Sequence, residues 1–402
     1  MTYPAGHAAP TDSLVLHSAV AMAATIDAAG DEIEQGRRLP PSIVDAMKDA
    51  GVFGMAMPGA WGGPELDPLT QFRVIEALAM ANGSVGWCAM INCDGGYVTA
   101  FVDQDVGRAM YPDILVGTAA AASPTGQATP VPGGYRVSGR FPFASGCQHC
   151  EWIWLGCLVV DSDGAPSVNS NGVPETRQCM VQLSRCRILD TWYTTGLRGT
   201  GSNDILVEDA FVEAEHTFSF QDAALIKRRG PLYALPFMFV AKASAPALGV
   251  ARHAVDALVD IASKRPARRY TLGQHLESPK MLRDDVFVQE AVGRADTMLT
   301  SARAYQFEVI ADLWTTLVNG CEPTPMQMAR FTTAPTHIIG ACVDVVELVC
   351  KAVGGTAVYQ KAPFDRCLRD ILTMNQHVVA TLRTYEMAGR LLLGLEPLRW
   401  LF

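Results

Sequence analysis

Four groups of residues in this chain are of types that could do chemistry. Cys147-Gln148-His149-Cys150 brings two thiols and an imidazole together, the ligands that zinc prefers. A structural zinc site needs a second ligand pair, and the next cysteine, Cys157, stands alone in an apolar run, so the spacing favours buried thiols acting as small hydrophobes. Gly196-Leu197-Arg198-Gly199-Thr200-Gly201-Ser202 is glycine-rich, but a dinucleotide fingerprint opens a helix, and here strands follow. It reads either as a connection inside a β region or as a loop approaching a cofactor or substrate. His377 carries a ring that ordinarily titrates near neutral pH and can move a proton, although an isolated histidine is equally a structural residue. Ser145, in Phe143-Ala144-Ser145-Gly146, offers a hydroxyl, yet serine before glycine is also ordinary turn chemistry. No Gly-x-Ser-x-Gly elbow, His-Glu-x-x-His pair or Walker loop occurs.

Three stretches of different texture must position these groups. Residues 1–114 carry helical punctuation: Asp12 can cap a run through Ile26, Pro40-Pro41 opens a helix that stops at Gly51, and Pro68 starts one through Ala81. Asp103 can cap a short helix beyond. Residues 115–214 read as β, with short apolar runs at Leu115 to Ala122, Tyr135 to Gly139, Trp152 to Val160, Cys179 to Leu183 and Ile205 to Val212. Turn signals at Pro132-Gly133-Gly134, Asp163-Gly164 and Asn171-Gly172 lie between them. Residues 215–402 return to long helices, expected at Pro236 to Lys264, Met281 to Val318, Pro325 to Val353 and Asp370 to Leu393, which make a four-helix bundle.

Composition narrows the function classes. The chain has 402 residues, 32 basic and 41 acidic, for a net charge of −9, the wrong sign for tracking a phosphate backbone. Nucleic acid is not an expected partner. Eleven scattered cysteines do not form a disulfide framework and fit a reducing cytoplasm. No stretch approaches the roughly 18 apolar residues of a membrane span. A charged share of only 18% suggests that much surface faces another subunit or a ligand.

The order of elements and several segments resemble the acyl-CoA dehydrogenase fold, and more closely its flavin-dependent monooxygenase branch. The segments are Leu39-Pro40 through Gly51-Val52-Phe53 with Trp61-Gly62-Gly63, Gly83-Ser84-Val85-Gly86-Trp87, Gly139-Arg140-Phe141 through Trp152, Trp192 through Asn203, Gly354-Gly355-Thr356-Ala357, and Arg366 through Asp370. Together they span nearly the whole chain. The resemblance implies an α+β architecture with an N-terminal helical domain, a middle β-barrel or sandwich and a C-terminal four-helix bundle.

The two branches of this fold differ in a carboxylate. Acyl-CoA dehydrogenases need a base, usually glutamate, to take the proton α to a thioester carbonyl. Counting from Arg369-Asp370 to that position lands on His377 and Val378, and no glutamate occurs between Pro236 and Lys264. In the monooxygenase branch a histidine and a serine at the positions of His377 and Ser145 flank flavin and substrate. By resemblance, Ser145 supplies a hydrogen bond to flavin or substrate. His377 deprotonates a phenol, polarises an indole N–H, or returns a proton to the flavin. Matching motifs further place Trp87 beside the flavin ring and Ala121, Ala122 and Ser123 under it, with Phe143 and Ala144 along it. Arg268 or Arg269 would reach the flavin phosphate. Gly354 and Gly355 would approach the cofactor from a neighbouring subunit in a dimer of dimers.

The implied activity is that of the oxygenase component of a two-component monooxygenase. Reduced FAD or FMN and O2 form a C4a-hydroperoxide that hydroxylates an aromatic or indole-like small molecule. No nicotinamide unit is visible, so a separate NADH:flavin reductase is the expected partner. The alternatives are an acyl-CoA dehydrogenase-like flavoenzyme with a non-standard base and a flavin-free scaffold. Two departures from the family stand out. Asn92-Cys93-Asp94-Gly95-Gly96-Tyr97 lacks a histidine found in some members, and its glycines read either as a roomier pocket wall or as a hinge. Lys351 replaces the glutamine that precedes the Gly-Gly pair in the dehydrogenases.

Overall fold

Prolines and short polar side chains punctuate the helices where a helix start needs them. Pro41 and Pro68 occupy first turns, where a missing N–H costs nothing. Asp67 accepts from the N–H groups of Leu69 and Thr70, and Asn82 from those of Ser84 and Val85, satisfying donors that a helix start leaves open. The computed structural model describes residues 13–169, 172–221, 226–266 and 281–396. Asp12, Asn171, Arg268 and Arg269, each assigned a part above, lie outside the described residues.

The first region comprises α1 (Leu14–Ala21), α2 (Ala23–Ala28), α3 (Gly30–Gly36), α4 (Pro41–Asp49), α5 (Pro68–Ala81), α6 (Gly83–Asn92), α7 (Gly95–Val98) and α8 (Gln104–Met110). The helix over Pro68 to Ala81 has the expected bounds. The run expected through Ile26 is divided at Met22, and Ser13 caps its first piece. α5 is central: Phe72, Val74, Ile75 and Leu78 are fully buried, each contributing about 1.5–3 kcal/mol. Its one buried carboxylate, Glu76, accepts from Nε and Nη2 of Arg303 at 2.7 and 2.9 Å.

The middle region is one mixed sheet. Its strands β1 (Gly117–Val131), β2 (Gly134–Ala144), β3 (Cys150–Val159), β4 (Thr176–Gln182), β5 (Arg187–Leu189), β6 (Asn203–Glu213) and β7 (Thr217–Phe218) run in the order β5-β6-β2-β1-β3-β4-β7. Pro132-Gly133 forms the β1–β2 hairpin turn, with Gly133 at φ +83°, a conformation that glycine adopts without strain. β1 and β3 pair in parallel, while the other pairs are antiparallel. The sheet curls so that Cys179 and Val181 of β4 share a buried cluster with Phe141 of β2, Leu155 of β3 and Val207 and Val212 of β6. Its outer face docks on the helices through Trp152, Trp154 and Met180, packed with Trp61, Phe101 and Tyr111.

The last region holds α9 (Ala245–Lys264), α10 (Val286–Val318), α11 (Pro325–Val353), α12 (Pro363–Met374) and α13 (Arg383–Leu392). α9 and α10 start later than the sequence pattern suggests, because short 3-10 turns at Met238–Lys242 and Leu282–Asp284 precede them. The helix expected over Asp370 to Leu393 begins about two turns earlier, at Pro363, and breaks after Met374. Asn375, His377, Val378 and Val379 are poor helix formers, and His377 takes an extended backbone conformation, φ −70° and ψ 150°. The break puts His377 in a corner between two helices.

Candidate active site

Three regions of the chain meet around α6. The indole N–H of Trp87, on α6, donates to Ser145 Oγ at 3.1 Å, and the His377 ring stands edge-on to the Trp87 ring at 5.1 Å and 81°. Residues 58 and 290 positions apart, one after β2 and one in the α12–α13 corner, thus converge on one tryptophan.

Local strain shapes the β2 end of this site. β2 loses register with β6 between Phe141 and Ala144, and Phe143 sits at φ +65°, an uncommon backbone for a bulky residue. Its ring is 68% exposed and meets Trp192 edge-on at 6.2 Å. Gly146 follows at φ +74°, where a Cβ would come within 2.2 Å of Asn92 Oδ1, so only glycine fits. Asn92, at the end of α6, donates to the carbonyls of Ser145 at 3.0 Å and Thr118 at 3.4 Å, and its Oδ1 lies 3.0 Å from His149 Nε2. Asn92 therefore ties together α6, β1 and the turn after β2.

Ser145 Oγ lies 2.7 Å from Ser202 Oγ, which lies 2.7 Å from Thr200 Oγ1, which donates to the Leu197 carbonyl at 2.8 Å. The glycine-rich run is thus both a connection between β5 and β6 and part of the site. Its Gly196 packs on the backbone of Arg369, and the Leu197 N–H donates to Asp370 Oδ1 at 2.6 Å. Arg369 reaches Glu34 at 2.7 Å, which ties α12 to α3, and is itself held by Asp365 one turn back on α12 at 2.8 Å.

Burial sets the protonation states. Desolvation lowers the pKa of His377 to about 4, so its imidazole is neutral across physiological pH instead of titrating there as its ordinary value suggests. Its Nδ1 accepts from the Val379 N–H at 3.4 Å, which leaves the proton on Nε2. His149 is likewise pushed down to about 4 by desolvation. Burial raises Asp370 to about 7, opposed by the Leu197 N–H. Of the Cys147-to-Cys150 group, the Cys147 thiol donates to the Gly201 carbonyl and is pushed up to about 12 by burial, while His149 serves Asn92.

The remaining expected residues are spread over the sheet, the end of α11 and the α12–α13 corner. β1 swells between Ala121 and Gly126 relative to β3, so Ala122 and Ser123 stand out on the surface while Ala121 faces the sheet's interior. The Ala144 side chain also points into that interior, leaving only its backbone for a ligand. Val378 is exposed beside His377. Gly354 and Gly355 are exposed at the end of α11 with nothing within 4 Å of an added Cβ, so they touch none of the Trp87 group within one chain. Gly95 and Gly96 are neither pocket wall nor hinge. A Cβ there would run into Met57 and Thr118, or into the Ala56 backbone, so both are glycines of close packing.

Exposed small residues, an aromatic ring and a hydroxyl with hydrogen-bonding capacity to spare are the residue types that a flavin site uses. Ala122, Ser123 and Phe143 are exposed, while Trp87 is buried against Ser145 and His377. Ser145 Oγ, with Trp87 on one lone pair, keeps hydrogen-bonding capacity for a ligand.

Comparison with known proteins agrees with this fold. The family described as "Acyl-CoA dehydrogenase, N-terminal domain" matches residues 14–117, and "Acyl-CoA dehydrogenase, C-terminal domain" matches residues 241–381. The chain belongs to the acyl-CoA dehydrogenase family. It is 29% identical to the indole-3-acetate monooxygenase of Pseudomonas putida, with 97% of both chains covered. It is also 29% identical to the flavin-dependent monooxygenase oxygenase subunit HsaA of Mycobacterium tuberculosis, over 90% of this chain and 91% of that one. The crystal structure of the HsaA monooxygenase from M. tuberculosis superposes with a TM-score of 0.85 at 27% identity, covering 95% of this chain and 97% of that one. Within the family, the chain's place is in the branch of flavin-dependent monooxygenase oxygenase subunits.

Proposed function

We propose that this protein is the oxygenase component of a two-component flavin-dependent monooxygenase that hydroxylates an aromatic or indole-like small molecule. A flavin bound in reduced form supplies the two electrons with which O2 is split, one oxygen atom going to substrate and the other to water. The convergence of Trp87, Ser145 and His377 carries the reading, together with the missing glutamate base of the dehydrogenases. Ser145 orients the flavin edge. Trp87 and the surrounding buried residues exclude water from it. His377 presents Nε2–H as a hydrogen-bond donor to an oxygen of substrate or flavin; with Nδ1 occupied by the Val379 N–H, it acts by polarising rather than by removing a proton.

A separate NADH:flavin reductase supplies the reduced cofactor, FAD or FMN. Gly354 and Gly355 serve a neighbouring copy in a dimer of dimers, a reading supported by exposed Val358, Tyr359, Val378, Leu382 and Tyr385 on the same helical region. The cytoplasm is the expected compartment, in keeping with eleven free cysteines. None of the described helices is long and apolar enough to cross a membrane.

The test is turnover of phenols and indoles with a flavin reductase and NADH under 18O2. Incorporation of one labelled atom into product is the expected result. No labelled product, combined with anaerobic bleaching of oxidised holoenzyme by acyl-CoA thioesters, would replace this reading with the dehydrogenase one.

A further inference from the structure

We infer that Thr200 and Ser202 are positioning residues that turn the Ser145 hydroxyl proton away from the cleft, so that Ser145 meets its ligand as a hydrogen-bond acceptor. The inference rests on the reading above that Ser145 faces the flavin edge. It follows from counting protons along a buried row of hydroxyls. Ser145, Ser202 and Thr200 are all buried, in contacts of 2.7 Å each. At the inner end Thr200 Oγ1 donates to the Leu197 carbonyl, which is itself fixed by the Trp192 indole N–H at 2.9 Å. Each hydroxyl has one proton to give.

Directed inward, all three protons find protein acceptors: Ser145 donates to Ser202, Ser202 to Thr200, and Thr200 to Leu197. Directed outward, the Ser145 proton leaves the row and the Thr200 oxygen receives nothing from it. A buried row with every member satisfied is the lower-energy arrangement. At the outer end the Trp87 N–H already donates to Ser145 Oγ at 3.1 Å. What remains to Ser145 is a single lone pair facing outward, which fits a ligand N–H.

At N5, the edge atom facing Ser145 on this reading, a flavin ring presents such a group only when reduced, whereas its N3–H is present in both redox states. Reduction converts a ring nitrogen from acceptor to N–H donor, so an acceptor at this point favours the reduced cofactor, whereas a freely turning hydroxyl would serve both. Thr200 and Ser202 thus contribute to flavin discrimination without touching the flavin. Asp370 supports the same row through the Leu197 N–H.

The experiment is anaerobic titration of the full-length protein with oxidised and with reduced FAD, giving the ratio of the two dissociation constants. Ser202→Ala removes the acceptor of the Ser145 proton, and Thr200→Val lets the row reverse. Each is expected to lower the preference for reduced FAD by about fivefold or more, the scale of one hydrogen bond. Ser202→Thr and Thr200→Ser, which keep the hydroxyls, are expected to restore the ratio, separating proton direction from packing. Ser145→Ala is expected to lower it as well. If Ser145→Ala lowers the ratio but neither Ser202→Ala nor Thr200→Val does, the hydroxyl row is not what orients Ser145. If Ser145→Ala itself leaves the ratio unchanged, the placement of Ser145 at the flavin edge fails, and the inference with it.

Discussion

α6 and the turn that follows it hold two buried polar groups of opposite design. At Trp87 the partners are neutral hydroxyls, an indole and an imidazole, and Ser145 keeps a lone pair to spare. Seven residues on, Asp94 meets Lys242 at 2.6 Å with the pair only 4% and 2% exposed. That pair is closed: Lys242 also donates to the Phe239 carbonyl at 3.1 Å and lies 5.0 Å from the centre of the Tyr97 ring. Burial raises Asp94 to about 6, partly offset by Lys242. A charge in a dry interior must have its partners within the fold, whereas a neutral group can leave capacity for a ligand at lower cost. The contrast separates polar residues that hold this chain together from those proposed to serve its chemistry.

The contrast is broken most severely at the ion pair. Asp94→Ala leaves Lys242 buried and unpaired, and is expected to cost about 3–5 kcal/mol of stability in denaturant unfolding. Asp94→Ala paired with Lys242→Met should recover much of it, since no charge is then stranded. A double variant no more stable than Asp94→Ala would show that the pair is not the closed structural unit described.

His377→Ala is expected to reduce hydroxylation by about 10²-fold while flavin affinity and thermal stability change little, the signature of a donor used mainly in the transition state. With its pKa depressed to about 4, His377 stays neutral from pH 8 down to pH 6, so this residue should contribute no ionisation to the rate profile in that interval. An ionisation near pH 6.5 that disappears in His377→Ala would contradict that protonation state.

Asp370 links the two kinds of group, being buried like Asp94 but bound to a backbone N–H of the site loop. Asp370→Ala strands the Leu197 N–H and is expected to cost about 1–3 kcal/mol. Its carboxyl is raised from 3.8 to about 7, so the stability tied to its bound proton is present below pH 3.8 and is lost as pH rises through 7. Asp370→Asn, neutral at every pH, should therefore gain in melting temperature relative to the parent between pH 4 and pH 7. A difference independent of pH would sink this account of Asp370.

Much of the helical frame was legible because its signals are local. Pro68 and Asp67 fix the start of α5, and Pro325 that of α11. The break at His377 was also written locally, in a run of poor helix formers, but the apolar periodicity on either side outweighed it. Trp87, Ser145 and His377 emerged as a group only through resemblance, since no spacing rule joins positions so far apart. Asn92 carried a usable signal, an amide ending an otherwise apolar helix, yet its partners at Thr118, Ser145 and His149 depend on tertiary packing. Asp94 and Lys242 are each the lone charge in a long uncharged run, a usable signal of burial, but they are 148 positions apart and nothing local pairs them. The Gly95-Gly96 pair misled because close packing and an open pocket both demand small residues.

The central claim is that the neutral, open group at Trp87 serves oxygen chemistry on a reduced flavin. Its most direct test is stopped-flow mixing of anaerobic protein and reduced FAD, then reduced FMN, with oxygenated buffer. The account predicts a transient absorbance distinct from both reduced and oxidised flavin, with oxidised flavin appearing only after a lag, and a shorter lag in Ser145→Ala. Reoxidation at the rate of free flavin, with and without an aromatic substrate present, would contradict it.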